Sequence, residues 1–214
     1  GLCRTYPNLI GAEAARGTEY QAFGGTMPHH VTILPFTRLN GGPMDYTPGI
    51  FVQDLASVTD GRNTSWVNAT IANQLALYVT MSSPLQMAAD LPEHYEQFMD
   101  AFQFIKDVDI DWIQSKYLLA EPGEYVVIAR QGKKDGQWFC GGVTDDQKRT
   151  VDVPLQFLEP DKTYVATIYR DADDAHYKEN PQAYVIEKRD VTFHDFLNIT
   201  MAPGGGFAIS FEEK

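Results

Sequence analysis

Glu124-Tyr125-Val126-Val127-Ile128-Ala129-Arg130-Gln131, Gly132-Lys133-Lys134-Asp135-Gly136 and Gln137-Trp138-Phe139-Cys140-Gly141-Gly142-Val143 follow one another in this chain, and their reading decides the fold. Two apolar runs rich in β-branched and aromatic residues flank a short polar turn. Asp-Gly supplies the positive backbone angles that tight hairpin turns require. The stretch therefore predicts a β-hairpin, 124–131 paired with 137–143. Outward from it, turn signals recur every eight to twelve residues, and further strands are expected at 116–120, 150–157, 162–171, 183–188, 198–201 and 207–211. Alternations such as Val151, Val153, Leu155, Phe157 and Tyr164, Ala166, Ile168 fit an antiparallel sandwich with one buried face.

Upstream of Trp112 the period changes from two to that of a helix. Residues 68–82 predict a helix apolar most of the way round, with Asn68 as its cap, and such a helix lies buried between layers. Pro92 opens a second one to about Val108, with Tyr95, Phe98, Met99, Phe102 and Ile105 at helical spacing. Residues 30–39 read as a helix kinked by Pro35. Short strands are expected at 2–6, 18–23 and 44–51. The division falls between 1–115, helical and short-stranded, and 116–214, all β.

Net charge is −12 at pH 7, which makes nucleic acid and anionic membrane surfaces poor partners. No run approaches the roughly 18 apolar residues of a membrane span. Two cysteines, Cys3 and Cys140, exclude a disulfide scaffold and leave one long-range bridge open. Eleven Tyr and 3 Trp suit sugar stacking and suit a sandwich core equally well.

Candidate chemistry lies between Glu13 and Asp45, where polar residues end two short apolar segments, the way parallel β/α units present side chains to a ligand. Glu19 follows Gly17-Thr18 and is flanked by Tyr20, Ala22 and Phe23. A carboxyl group in apolar, aromatic surroundings has its charged form disfavoured and can serve as a general acid. Glu13, six residues earlier, is near enough to share a cation if the loop folds back. Carboxylates without a His or Cys cluster favour calcium over zinc. Asp45 suits contact with a ligand hydroxyl or metal-bound water, and equally an ion pair with Arg38 or the cap of a loop. His29 and His30 suit structural hydrogen bonds. Gly204–Gly206 follows a strand and reads as a tight turn, not a phosphate loop. Asn63, Asn68 and Asn198 match the glycosylation pattern.

Several of these motifs resemble glycoside hydrolase family 97: Cys3-Arg4-Thr5-Tyr6-Pro7-Asn8, Arg16-Gly17-Thr18-Glu19-Tyr20, Ile33-Leu34-Pro35-Phe36-Thr37-Arg38, Gly41-Gly42-Pro43-Met44-Asp45-Tyr46-Thr47-Pro48-Gly49, Gln74-Leu75-Ala76-Leu77-Tyr78-Val79, Ser83-Pro84-Leu85-Gln86-Met87-Ala88-Ala89-Asp90, Phe102-Gln103-Phe104-Ile105-Lys106-Asp107 and Gly204-Gly205-Gly206-Phe207-Ala208-Ile209. The resemblance implies a protein of three parts: an N-terminal β-sandwich, a (β/α)8 catalytic barrel and a C-terminal antiparallel β domain. This chain would be the last barrel units (1–115) followed by that C-terminal domain (116–214). It further implies an α-glucosidase acting on malto-oligosaccharides in the periplasm, calcium-dependent and inverting, with Glu19 as general acid and calcium ligand and Glu13 as a second ligand. The general base and remaining ligands would come from upstream segments, so the 214 residues alone should be inactive and should pack against the rest of the barrel. A retaining α-galactosidase of the same family is the alternative. A non-catalytic, glycan-associated sandwich is a reading of another class.

Overall fold

The computed structural model describes residues 5–13, 15–23, 25–56, 61 and 65–214. Eight strands form: β1 (Trp112–Glu121), β2 (Tyr125–Gly132), β3 (Trp138–Thr144), β4 (Arg149–Pro154), β5 (Thr163–Asp171), β6 (Tyr184–Thr192), β7 (Phe196–Met201) and β8 (Gly206–Glu213). They correspond one for one to the eight strands expected from the sequence. The β2–β3 hairpin closes as the Asp-Gly turn requires, with Gly136 at φ +79° and Gln137 N–H donating to Asp135 Oδ1 at 3.0 Å.

All strand pairs are antiparallel. Six strands make one sheet in the order β1-β2-β3-β8-β5-β6, and β4 and β7 make a second, two-stranded sheet. Val127, Trp138, Cys140, Val153, Leu197 and Ile209 fill the space between the sheets. Cys140 is a free thiol fully buried in this core, and burial pushes its pKa up. Cys3 and Asn63 lie outside the described residues, as does most of the expected strand 2–6.

The opposite face of the large sheet is covered too. Helices α1 (His29–Ile33), α2 (Ile71–Thr80), α3 (Pro92–Tyr95) and α4 (Met99–Asp107) form among the described residues. All ten residues of α2 are buried. A Cβ on Gly141 would lie 2.8 Å from the Ala76 carbonyl and 2.9 Å from Val79 Cβ, so this glycine lets α2 approach β3 closely. Phe104 of α4 meets Phe139 and Tyr169 edge-on at 6.1 and 5.4 Å. Coverage on both faces explains why every residue of β3 is buried and why its sequence runs apolar without alternation.

Four local expectations are corrected. Residues 18–23 are a 3-10 helix (Thr18–Phe23), not a strand: the Thr47 hydroxyl accepts the N–H groups of Thr18 and Glu19 and caps the turn. The helix at 30–39 is α1 followed by 3-10 turns Leu34–Phe36 and Arg38–Gly41, because Pro35 offers no donor to continue it. Residues 44–51 form a single parallel bridge, Met44 to Ala12, instead of a strand. Beyond it the backbone is held by side chains: Gln74 Oε1 accepts from Gly49 and Ile50, and Asp90 Oδ2 accepts from Phe51 and Val52. Pro48 brings no N–H and Gly49 sits at φ +95°, so no ladder can form. Finally, α2 is capped by Thr70, whose hydroxyl oxygen accepts from Asn73 N at 3.1 Å, while Asn68 donates to the Thr26 carbonyl.

Candidate active site

The parallel bridge between Ala12 and Met44 is the anchor of the N-terminal segment. Arg38 ties the Ala12 side of the bridge down: Nη2 donates to the carbonyls of Ala12 (2.6 Å) and Glu13 (2.8 Å), and Nη1 to that of Gly42 (3.3 Å). The guanidinium is spent on main-chain oxygens, and the alternative of a pair with Asp45 does not form. Asp45 N–H donates to the Ala12 carbonyl at 3.1 Å, and Asp45 Oδ1 is buried without a hydrogen-bond partner among the described residues. Glu13 and Asp45 each follow a bridged residue, so a parallel pairing sets them side by side at the same end.

Three residues beyond Met44 stands Thr47, between the buried Tyr46 and Pro48. Burial pushes the Tyr46 phenol pKa up, with the nearby Glu19 charge adding to it, so the ring carries a neutral hydroxyl here. Thr47 Oγ1 accepts the Thr18 N–H at 2.7 Å and the Glu19 N–H at 3.3 Å, and its own O–H donates to Glu19 Oε2. Gly17 leaves room for this pair. A Cβ there would come within 2.6 Å of Thr47 Oγ1 and closer still to Glu19 Oε2.

Glu19 is solvent-exposed, as is Phe23, whose ring is 77% exposed. The apolar, aromatic surroundings expected from the sequence are therefore not formed around Glu19 by the described residues. Beside it on the same 3-10 turn, Tyr20 stacks under Arg16, whose guanidinium carbon lies 4.6 Å from the ring centroid. His30 takes the structural role expected of it: Nε2 donates to the Arg16 carbonyl at 2.8 Å, and burial lowers its pKa. Neither histidine joins a cluster with the glutamates.

Glu13 is exposed, and its carboxylate receives no hydrogen bond or ion pair from any described residue. Glu19 receives one, from Thr47. Both keep free lone pairs, an oxygen donor set suited to a hard cation. No group of three or more His, Cys, Asp or Glu able to hold a metal occurs among the described residues. Each glutamate by itself offers the oxygen donors that a hard cation such as calcium takes, and the described residues form no complete shell. No local sequence signal marks Thr47 or the Arg38 clamp. Thr47 lies inside the motif Asp45-Tyr46-Thr47-Pro48, but its partner is 28 residues away, beyond any local signal.

A cleft of about 820 Å³ opens elsewhere, between α4, the β2–β3 turn and strands β5, β6 and β8, lined in part by Gln103, Lys106, Lys134, Thr167 and Lys188. It includes neither Glu13 nor Glu19. Among the described residues no helix is long and apolar enough to cross a membrane.

Residues 111–212 match the family described as Glycosyl-hydrolase 97 C-terminal, oligomerisation. Over 220 aligned residues the chain is 34% identical to a retaining alpha-galactosidase of Bacteroides thetaiotaomicron, covering 99% of this chain and 32% of that protein. Two solved structures of a glycoside hydrolase family 97 enzyme from Pseudoalteromonas sp. strain K8 superpose with a TM-score of 0.93. One is in complex with panose, at 46% identity, and the other with acarbose, at 47%; each is matched over 100% of this chain and 33% of its own. The chain thus spans about a third of the length of these relatives. Over residues 111–212 the chain carries the C-terminal domain of glycoside hydrolase family 97, and along its whole length it is similar to enzymes of that family.

Proposed function

We propose that this chain is the C-terminal part of an α-glucosidase that cleaves non-reducing-end α-glucosidic bonds of malto-oligosaccharides, with Glu19 as general acid. The observation that carries this reading is the exposed Glu19 carboxylate, fixed by the Thr47 hydroxyl beside the parallel Ala12–Met44 bridge. A parallel pairing joined by a helical crossover is the local signature of a β/α unit, which supports residues 1–115 as the last units of a (β/α)8 barrel. Residues 116–214 then form the C-terminal domain docked on it, and the N-terminal sandwich and remaining barrel are further partners.

In this reading Glu19 Oε gives a proton to the glycosidic oxygen as the bond to the anomeric carbon breaks. Glu13 and Glu19 would hold calcium together with ligands from outside these residues. When bound, the ion supplies positive charge that orients the site and its water. Asp45, with a buried and unpartnered Oδ1, suits a sugar hydroxyl or a metal-bound water. The base comes from outside the chain, so the 214 residues by themselves give no turnover. A periplasmic location rests on the family resemblance.

The ligands of the relatives at 46–47% identity weigh towards glucosides, whereas the name of the 34% identical relative supports a second reading, a retaining α-galactosidase. Proton NMR of the first sugar released by the full-length enzyme separates them. The reading expects β-glucose from maltose, lost on chelation and restored by calcium. Turnover of α-galactosides alone with α-galactose as first product would overturn it.

A further inference from the structure

The hydrogen bonds around Thr47 say which oxygen of Glu19 is free to act. A threonine hydroxyl has one hydrogen and two acceptor lone pairs. Both lone pairs of Thr47 Oγ1 are taken, by the N–H of Thr18 at 2.7 Å and that of Glu19 at 3.3 Å. Its hydrogen must therefore be given away, and Glu19 Oε2 is its acceptor. Oε2 cannot at the same time hold a proton pointing at Thr47. We infer that Thr47 is the positioning residue of the acid: it captures Glu19 Oε2 and leaves Oε1 as the oxygen that delivers the proton.

The geometry also says which partner holds the other. Thr47 lies on a fixed track. Met44 N–H donates to the Ser82 carbonyl, Asp45 N–H to that of Ala12, and the flanking Tyr46 and Pro48 are buried. Glu19 stands on an exposed 3-10 turn. Without Thr47 the turn loses two capped N–H groups and the carboxylate its only hydrogen bond among the described residues. In the step itself, the Oε1–H bond breaks and a bond forms to the glycosidic oxygen. The electron pair of the breaking bond to the anomeric carbon goes to that oxygen, and a water deprotonated by the base from outside these residues bonds to the anomeric carbon. Oε2 keeps its hydrogen bond throughout. A misplacement of about 1 Å costs on the order of 10²-fold in rate.

This inference rests on Glu19 being the acid, and its test is built to separate the two. In the full-length enzyme, Thr47→Val and Thr47→Ser are compared with Glu19→Gln. The substrates are an unactivated disaccharide that the wild type cleaves (maltose or melibiose) and the matching glycosyl fluoride, whose leaving group needs no proton. Thr47→Val is expected to lower kcat on the disaccharide about 10²-fold, with KM and fluoride turnover within about threefold of wild type. Thr47→Ser, which keeps the hydroxyl, is expected to restore the disaccharide rate to within about threefold. Fluoride turnover doubles as the control for folding. Equal losses on both substrates, or full disaccharide activity in Thr47→Val where Glu19→Gln has lost it, would overturn the role of Thr47. Full disaccharide activity in Glu19→Gln would remove the acid assignment, and this inference with it.

Discussion

Two carboxylates in this chain sit at the ends of their elements and are treated in opposite ways. Asp171, the last residue of β5, is buried and meets three donors: Thr70 O–H at 2.7 Å, and the N–H groups of Ala202 and Gly206 at 2.8 Å each. Glu19 is exposed and meets one, the hydroxyl of Thr47. Asp171 joins the cap of α2, the end of β5 and the triple-glycine turn before β8 into one junction, and both of its oxygens are engaged there. Gly205 is part of that arrangement, since a Cβ there would collide with Asp171 Oδ2. Asp171, tied by two main-chain N–H groups and one hydroxyl, welds structure, whereas Glu19 keeps one oxygen without a hydrogen bond among the described residues.

The largest effect on stability should come from breaking the weld. Asp171→Ala strands two buried N–H groups and a hydroxyl, at about 1–3 kcal/mol each, so thermal unfolding of the full-length protein should shift down by several degrees or more. Burial outweighs the three hydrogen bonds and raises the Asp171 pKa from 3.8 to about 7. The sign follows by linkage. The folded state holds its proton where the unfolded chain has lost it, so the associated stability is full below about pH 4 and lost as pH rises through about 7. Asp171→Asn, which keeps an acceptor for the two N–H groups, should cost less than the alanine variant and remove that pH-dependent component. Stability curves of wild type and Asp171→Asn that run parallel from pH 4 to 8 would contradict the assignment.

A smaller effect, on activity instead of stability, should come from crowding the other carboxylate. Gly17→Ala puts a methyl group against Thr47 Oγ1 and Glu19 Oε2. It should reduce turnover of an unactivated glycoside by roughly tenfold while leaving the melting temperature nearly unchanged. Wild-type turnover in this variant would show that the Thr47–Glu19 contact does not govern the reaction.

The same contrast explains what could be read from the sequence. All eight strands were legible because their alternation and the Asp135-Gly136 turn are local signals that sheet packing reinforces. The segment from Ala12 to Val52 was not, because its N–H groups are satisfied by side chains distant in sequence: Thr47, Gln74 and Asp90. Short apolar runs such as 18–23 cannot be assigned by periodicity when a remote hydroxyl caps them into a 3-10 turn. Glu19 and Glu13 were named from their motif. The exposed setting of Glu19 and its hold on Thr47 belong to tertiary structure and left no local trace.

The central claim is that Glu19 gives the proton, and Glu19→Gln in the full-length enzyme tests it most directly. Turnover of maltose should fall by 10²–10⁴-fold, the usual worth of a general acid, while turnover of α-glucosyl fluoride stays within a few-fold of wild type. Maltose turnover close to wild type would contradict the account.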